Sequence, residues 1–376
     1  MGSNQQYQIS PIEMGVTLIS LIFGVGILTL PRVLAERVGT TDGWISILVA
    51  GFITMSLVYI YVRIQKKFPT QSLLEFIANG KIGKWGAKVL AFFFIFYFTV
   101  LLAFQVRILA MATKLYLIDQ TPSEVVIGII LLIITYAASK GMQGIVHIHL
   151  MFMPFILTAL FGVIIFNLGE ADFGQLLPVV SEGFMPVLSG ILPPMFSFAV
   201  IMFLFFFMGH MKESDLRSLP LNIAILFLVL TYTFLAIISY VTFGLEMTKV
   251  ITFPAIELAK EIEIIGGFIE RLESLFLTVY IMAIFTTMAT VLFANIKTIE
   301  EQFIPSKKLR TWIPPVIIFI IFIISFIPDS ITSLENVGQL LAVLGDVLLI
   351  LGIVSGYITV WIRKRSKTSF DNSSQV

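Results

Sequence analysis

The stretch Gly24-Val25-Gly26-Ile27-Leu28-Thr29-Leu30-Pro31-Arg32 lies inside the first long apolar run of the chain, which begins near Pro11. Two glycines one residue apart predict a helix that opens in its middle. In a lipid bilayer, backbone outside a regular helix is tolerated only where it is buried in protein or lines a cavity. Transporters bind small solutes with such exposed main-chain groups. The stretch therefore predicts a membrane protein with a solute site at Gly24, Val25 and Gly26.

The composition of the whole chain agrees with a membrane protein. Of the 376 residues, 58% are hydrophobic and 12% are charged, and the mean hydropathy is +0.99, whereas soluble domains carry about 25% charged residues. The chain has no cysteine, which excludes disulfides and thiol-bound metals. A net charge of +1 with three histidines argues against a nucleic-acid partner. We expect no metal and no cofactor.

Apolar runs long enough to cross a bilayer, which requires roughly 17–25 residues, recur along the sequence. Lys and Arg accumulate on the cytoplasmic side of membrane proteins, and most of the 24 basic residues fall on that side if both termini are cytoplasmic. We therefore predict ten spans with both ends inside. The predicted spans are 11–35, 43–64, 86–115, 123–139, 147–167, 186–208, 219–243, 268–295, 311–327 and 336–361.

Helix-breaking residues recur five spans apart. Span six contains Gly190, Pro193 and Pro194, and two successive prolines cannot lie in a regular helix interior. Interruptions at corresponding positions of two halves indicate an inverted repeat around a central site. The alternative is that these residues only permit close helix packing or a kink. We predict one membrane domain over 1–376, with repeat one at about 11–167, repeat two at about 186–361 and a cytoplasmic tail at 362–376.

Ionisable residues within membrane spans are candidates for function. Asp346 lies well inside the tenth span, where a carboxylate needs a polar cavity, a partner or a proton path. Glu270, Arg271 and Glu273 open the eighth span. These three are either coupling charges or an interfacial cluster of ion pairs.

Neutral polar residues also lie at membrane depth. Tyr97 is in the middle of span three, and Tyr280 and Thr287 are seven residues apart in span eight, hence on one helix face. These side chains can hydrogen-bond a small ligand. The alternative is that the Thr hydroxyl bonds back to its own helix, which is common in membrane segments.

Two further pairs of residues lie near the predicted span ends. Arg32 and Glu36 are four residues apart at the outer end of span one, which predicts an ordinary ion pair along one helix. His147 and His149 are predicted at the cytoplasmic mouth of span five. Two histidines without further ligands do not make a metal site.

Together these features resemble the spore germination B-subunit family, the endospore germination permeases, which belong to the amino acid–polyamine–organocation superfamily. The resemblance covers nearly the whole chain. The first stretch is shared loosely with many permeases, whereas the last is more specific to the germination branch. The stretches that carry it are Gly24 to Arg32, Asp42-Gly43-Trp44-Ile45, Gln65-Lys66-Lys67 and Phe268-Ile269-Glu270-Arg271-Leu272-Glu273-Ser274.

The resemblance implies an all-α, LeuT-like fold of five plus five inverted helices with discontinuous first and sixth helices. It also implies a membrane subunit of a germinant receptor in the inner membrane of a bacterial endospore. Family members work with a larger A subunit and a lipoprotein C subunit, and respond to amino acids, sugars or nucleosides. By position, unwound backbone falls at Gly24 to Gly26 and near Ser197 to Val200, and the facing helices contribute Tyr97 and Thr287.

The function that follows is binding of a small nutrient, foremost an amino acid, by Gly24, Val25, Gly26, Tyr97, Ser197, Phe198 and Thr287. The segment 199–203 is apolar where many superfamily members have glycine and polar groups, which favours a small or partly apolar ligand. The alternatives are a proton- or sodium-coupled amino-acid transporter and a ligand-gated ion conduit. An enzyme is not expected, because the sequence offers no nucleophile–base pair, metal cluster or phosphate loop.

Overall fold

The computed structural model describes residues 7–79, 81–118, 120–169, 171–262, 272–304 and 306–373. This part of the chain is helical or irregular and contains no strand. The α-helices are α1 (Pro11–Gly26), α2 (Leu30–Val38), α3 (Gly43–Gln65), α4 (Leu73–Ala78), α5 (Lys81–Tyr116), α6 (Ser123–Ser139), α7 (Gly141–Asn167), α8 (Phe184–Ser189), α9 (Leu192–Phe198), α10 (Leu204–Phe207), α11 (Ser218–Val250), α12 (Pro254–Lys260), α13 (Leu272–Gln302), α14 (Lys307–Arg310), α15 (Ile313–Ile324) and α16 (Ile331–Ser373).

The length and hydropathy of these helices make the chain a multi-pass membrane protein. Within the described residues, seven helical segments are long and apolar enough to cross a bilayer. Two shorter apolar helices accompany them, Pro11–Gly24 and Ser123–Ser139. Large apolar side chains such as Phe52, Leu132 and Phe319 stand exposed on the outer faces, as lipid contact requires.

Within the described residues, the predicted spans overlap helical segments, and the bounds differ where polar residues continue a helix. The predicted span 123–139 has the same bounds as α6. The predicted span 147–167 begins six residues late, because α7 starts at Gly141, whose φ of +71° turns the chain out of α6. His149 therefore lies more than two turns inside α7 and is fully buried, and the prediction that placed it at the cytoplasmic mouth is wrong.

The first interruption lies just after the glycines. Gly24 and Gly26 belong to the last turn of α1, and the break is the turn at 27–29 before α2. Pro31 accounts for this position: it has no N–H to donate to the Ile27 carbonyl, and its ring clashes with that carbonyl. The expectation of unwound backbone at Gly24 to Gly26 is thus corrected by about three residues.

The second interruption lies in the segment Phe184–His210. Pro193 and Pro194 fall in the first turn of α9, where a proline removes no helical hydrogen bond. After Phe198 the helix tightens into the 3₁₀ turn Ala199–Phe203 and then continues as α10. Ser197 and Phe198 are therefore still helical, and the break begins at Ala199 rather than at Ser197.

Helix α1 lies at the centre of the bundle. It packs against α7, α9, α11 and α13, and Leu21, Ile22 and Phe23 are fully buried there. Around this centre, α11 pairs with α3, and α5 pairs with α13. The interrupted first segment is thus enclosed by protein, which is the condition under which a helix can break at membrane depth.

The α3–α11 pair meets at a glycine, which generates a test of the packing. A Cβ placed on Gly51 would lie 2.9 Å from Val229 Cγ1, and closer still to Cγ2. We expect Gly51→Leu to cost about 1–3 kcal/mol through overpacking, seen as a lower Tm of the purified protein. The control is Gly128→Leu on α6, where nothing lies within 4 Å of an added Cβ. Equal Tm values for the two variants would contradict this packing.

Candidate functional site

A pocket of about 280 Å³ lies between the two interrupted segments. Its lining comes from the end of α1, from α2, α5 and α9, and from the first half of α16. A second, smaller pocket of about 120 Å³ lies beside His210 and Lys297. We refer to the larger cavity as the central pocket.

Gly26 and Ser197 bring the two interrupted segments into contact, and both line the central pocket. A Cβ on Gly26 would lie 2.9 Å from Ser197 Cβ and closer still to the Ser197 hydroxyl. No side chain fits between them, so only glycine permits this approach. Two of the residues expected to bind ligand are thus next to each other at an open cavity.

Gly24 makes a similar contact with Thr287 on α13, but the contact is sealed from the central pocket. A Cβ on Gly24 would lie 2.8 Å from both Thr287 Cβ and the Ala283 carbonyl oxygen. The fully buried Thr287 hydroxyl lies 3.2 Å from the Ala283 carbonyl and 3.2 Å from the Leu21 carbonyl of α1. The bond from Thr287 to Ala283 lies within α13, as the alternative interpretation of the sequence predicted. The bond from Thr287 to Leu21 adds a link from α13 to α1.

Opposed helix ends meet at the central pocket. The last carbonyls of α1 and the first N–H groups of α2 flank the turn at 27–29, and such groups lack partners within a helix. Thr29 makes no side-chain cap to α2, and Thr29, Leu30 and Arg32 line the pocket. The end of α1 carries partial negative charge, and the start of α2 carries partial positive charge. The site therefore presents a negative and a positive partial charge only a few residues apart.

The walls of the central pocket are mostly apolar. Helix α5 supplies Phe104 and Met111, α9 supplies Phe196, and α16 supplies Val343. The polar residues of the lining include Ser197, Thr29 and Gln339, the last of these on α16. This arrangement of a largely apolar cavity with a few convergent polar groups is typical of small-molecule sites.

Charged residues hold the mouth of the central pocket. Arg32 Nε lies 2.8 Å from Glu36, which confirms the predicted pair. The other side of the Arg32 guanidinium pairs with Glu335 at the start of α16. Arg32 therefore pairs within α2 through Glu36 and ties α2 to α16 through Glu335, and this second partner was not visible in the sequence.

Tyr232 on α11 joins the two interrupted segments, and sequence reasoning did not single it out. Its hydroxyl donates to the Ile22 carbonyl of α1 at 2.7 Å. Its ring stacks on Phe198 with centroids 6.1 Å apart and lies 5.9 Å from the ring of Phe23. The side chain is buried. No local pattern distinguishes it from a packing aromatic, because both partners are distant in the sequence.

Tyr97, Phe198 and Asp346 lie around the central pocket rather than in its lining. Phe198 is fully buried against Tyr232. The Tyr97 hydroxyl abuts the backbone of α16 at Gly345, where an added Cβ would lie 2.6 Å away. Asp346 follows on α16, one turn beyond the pocket residue Ala342, and its buried Oδ1 has no hydrogen-bond partner within the described residues.

The remaining predicted residues are only partly placed. Val25 belongs to α1, but its side chain is outside the described atoms. Glu270 and Arg271 lie outside the described residues, and for Glu273 only the backbone, in α13, is described. Their pairing stays a prediction.

A buried polar cluster on α1, α7 and α13 lies beneath the central pocket. His149 Nδ1 is 2.7 Å from the Ser20 hydroxyl, and Nε2 is 2.8 Å from the Thr290 hydroxyl. Ser20 also lies 3.1 Å from the Thr286 hydroxyl. In the described part of the chain, no group of three or more His, Asp or Glu side chains is arranged to hold a metal.

Comparison with protein families identifies relatives along almost the whole chain. A family model described as spore germination protein matches residues 8–334. Spore germination protein A2 of Bacillus subtilis is 30% identical over 278 residues, covering 73% of this chain and 75% of that protein. Spore germination protein GerLB of Bacillus cereus is 26% identical over 341 residues, covering 89% of each chain. Spore germination protein YndE of Bacillus subtilis is 26% identical over 298 residues, covering 79% of this chain and 81% of that protein.

Solved transporter structures share the fold. The nucleobase-cation-symport-1 family transporter Mhp1, in a closed conformation with bromovinylhydantoin bound, superposes with a TM-score of 0.68 at 14% identity, over 93% of this chain and 78% of that one. A Na⁺-coupled sialic acid symporter in an outward-open state gives 0.66 at 11% identity, over 93% of this chain and 82% of that one. At such identities the likeness concerns the fold alone.

The contact between Gly26 and Ser197 generates a test with a built-in rescue. We expect Gly26→Ala to lower the stability by about 1–3 kcal/mol, because the new methyl overlaps Ser197. Adding Ser197→Gly should restore most of the loss, because it removes both clashing atoms. The measurement is the Tm of each purified variant in the same detergent.

Gly162→Ala is the matched control, since nothing lies within 4 Å of a Cβ at that position. A Gly26→Ala variant as stable as the parent, or a loss that Ser197→Gly leaves unchanged, would show that these two residues are not in contact.

Proposed function

The chain belongs to the spore germination protein family, and from that membership we propose that it is the membrane subunit of a germinant receptor that binds a small nutrient in the central pocket. The family and the fold are those of germination and transport proteins rather than of enzymes. The observation that carries the proposal is the pocket itself, which opens at the contact between Gly26 and Ser197. Broken helices around a cavity are the usual solute site of this architecture.

The ligand class that the site favours is an amino acid. A carboxylate fits the N-terminal end of α2, beside the N–H groups of Leu30 and Arg32, and an ammonium group fits the carbonyl end of α1. The carbonyls of Leu21 and Ile22 already accept bonds from Thr287 and Tyr232. An ammonium group is therefore proposed to bind the later carbonyls of α1, nearer Gly26.

The apolar walls favour an amino acid over a sugar. Phe104, Phe196 and Val343 offer no hydrogen-bonding groups to a ring of hydroxyls, and polar groups buried without partners weaken binding. A volume of about 280 Å³ suits a ligand smaller than a drug-sized molecule. The expected ligand residues Gly26 and Ser197 line this space, whereas Gly24, Thr287, Tyr97 and Phe198 are proposed to position it.

Signalling is proposed to start at the mouth of the pocket. Arg32 joins α2 to α16 through Glu335 and pairs within α2 with Glu36, so a ligand carboxylate near the start of α2 changes the balance of charge around the guanidinium. Binding would shift α2 and α16 relative to the rest of the bundle. A ligand moves such an equilibrium only through its difference in affinity for the two arrangements.

The topology and setting of the chain complete the proposal. We place ten spans in the bilayer as two inverted sets of five, about 11–167 and 186–361, with both termini and the tail 362–376 on the cytoplasmic side of the spore inner membrane. The short helices α1, α6 and α15 then cross together with the longer ones. The A and C subunits of the receptor are the proposed partners, and they would transmit the shift.

A coupled transporter is the second candidate, because Asp346 has a buried carboxylate oxygen without a partner in the described part of the chain. A carboxylate at this depth is a possible carrier of a proton or a sodium ion. Accumulation of labelled substrate in proteoliposomes under an ion gradient would favour transport over signalling. Ligand-dependent conductance would favour an ion conduit.

Filling the central pocket tests the site directly. We expect a panel of amino acids, sugars and nucleosides to contain an amino acid that raises the Tm of the purified protein, by an amount equivalent to about 2.7 kcal/mol at 100 times its Kd. Ala342→Phe should abolish this rise, because Ala342 lines the pocket and a phenyl ring occupies the space of the ligand.

The matched control is Val347→Phe, on the exposed face of the same helix, which should keep the ligand-induced rise. Spores that carry each variant supply the physiological readout. A ligand that still stabilises Ala342→Phe would remove the central pocket from the proposal, and stabilisation by nucleosides alone would replace the ligand class.

A further inference from the structure

His149 is buried where three helices meet. The residue is 0% exposed and projects from α7 towards α1 and α13. Both ring nitrogens have hydroxyl partners, Ser20 on α1 at 2.7 Å and Thr290 on α13 at 2.8 Å. Ser20 precedes Gly24 by one helical turn. The ring therefore bridges the central helix, just before its interruption, to the two helices behind it.

The hydroxyls around His149 can hold the ring in either protonation state. With a neutral ring, Nε2–H donates to Thr290, and the Ser20 hydroxyl donates to Nδ1. Thr290 and Thr286 donate to the carbonyls of Thr286 and Ala283, at 2.9 Å and 2.8 Å. No proton then remains for the Ser20–Thr286 contact of 3.1 Å. A proton added at Nδ1 releases the Ser20 hydroxyl to donate to Thr286, and every contact then has a donor.

Burial opposes that extra proton as long as the helices stay together. A charged imidazole inside a membrane protein needs a counter-charge or water, and both ring nitrogens of His149 hydrogen-bond to neutral hydroxyls. Titratable or charged residues occur on α7 itself and on each helix packed against it. They are Glu13 (α1); Glu124 and Tyr136 (α6); His147 (α7); Tyr232, Tyr240, Glu246 and Lys249 (α11); Glu257 and Lys260 (α12); and Glu273, Tyr280, Lys297, Glu300 and Glu301 (α13).

The charged residues nearest to Ser20 and Thr290 along their own helices already have partners. Glu13 accepts bonds from Tyr7 and Ser10, and Lys297 pairs with Glu301. The ring is therefore neutral in the arrangement described, and a proton can join it only when water reaches the junction.

We propose that His149 is a proton-binding site linked to the position of α1: the ring is neutral while α1 is docked on α7 and α13, and it takes up one proton when α1 moves away. The ligand of this site is the proton rather than a sodium ion, because the imidazole already engages the hydroxyls that could ligate sodium. Acid therefore favours the arrangement with α1 displaced, and the same movement separates Gly24 from Thr287.

A cysteine reporter tests the link in ligand-free protein, so the outcome does not depend on the proposed nutrient. The chain has no cysteine, and Thr287 is fully buried against α1. The rate at which a thiosulfonate reagent modifies Thr287→Cys in nanodiscs reports how often α1 moves away. Dividing by the rate for Ser214→Cys, an exposed position, removes the pH dependence of thiol ionisation.

We expect this ratio to rise about tenfold from pH 7.5 to pH 5.5, since a solvated imidazole is half protonated near pH 6.5 and one proton is linked to the movement. His149→Gln should remove the rise, because an amide keeps one donor and one acceptor but does not titrate. His147→Gln is the matched control, since that exposed ring lies edge-on to Tyr7, and it should leave the rise unchanged. A rise that persists in His149→Gln, or no rise in the parent, overturns the proposal.

A second measurement keeps the proposal testable if the cysteine variant does not fold. The three histidines give three sets of imidazole signals in ¹⁵N-histidine-labelled protein, assigned by single His→Gln variants. A charged His149 signal should grow at pH 5.5 beside the neutral one. A His149 signal that stays entirely neutral down to pH 5 rejects proton binding at this residue.

Discussion

The structure depends on satisfying the backbone where the central helix ends inside the membrane. A carbonyl without a partner in lipid costs several kcal/mol, so α1 can break only where other groups reach its end. The Thr287 hydroxyl reaches the Leu21 carbonyl and the Tyr232 hydroxyl reaches the Ile22 carbonyl, each as a second bond to a carbonyl of the helical ladder, while the later carbonyls lie towards the central pocket that Gly26 lines. Both hydroxyls come from helices that pack around α1. The helices that shield the end of α1 from lipid therefore also hydrogen-bond its backbone.

The segments in which helices break were visible in the sequence, because proline and glycine act locally, but the first break lies about three residues later than predicted and the second begins at Ala199. Pro31 fixes the first interruption through its own missing N–H, and Pro193 fixes the start of α9. The ion pair of Arg32 with Glu36 also follows from spacing alone. Its second carboxylate, Glu335, is 303 residues away, and nothing in a linear pattern links two such positions.

The polar contacts at the centre were harder to predict, because they depend on which helices become neighbours. Tyr232 resembles any aromatic residue of an apolar helix until its hydroxyl is seen on Ile22. His149 was misplaced because α7 begins at Gly141, in a stretch whose polar residues resemble a loop. The family likeness supplied the fold in advance, but a fold shared with transporters at 11–14% identity carries no information on the ligand.

The half of the central pocket that belongs to α16 has a consequence for how the shape of this cavity can change. Gly338 faces the Phe104 ring, with an added Cβ 3.1 Å away, and Ala342 follows it one turn later on the pocket wall. Ala342 is only partly buried, so a somewhat larger side chain at that position enters the cavity rather than the packed core. Exchanging small residues along this one stripe alters the volume and shape of the cavity while leaving the broken helices intact. Single substitutions on this helix can therefore change which molecules fit the cavity, and a laboratory selection could follow the same route.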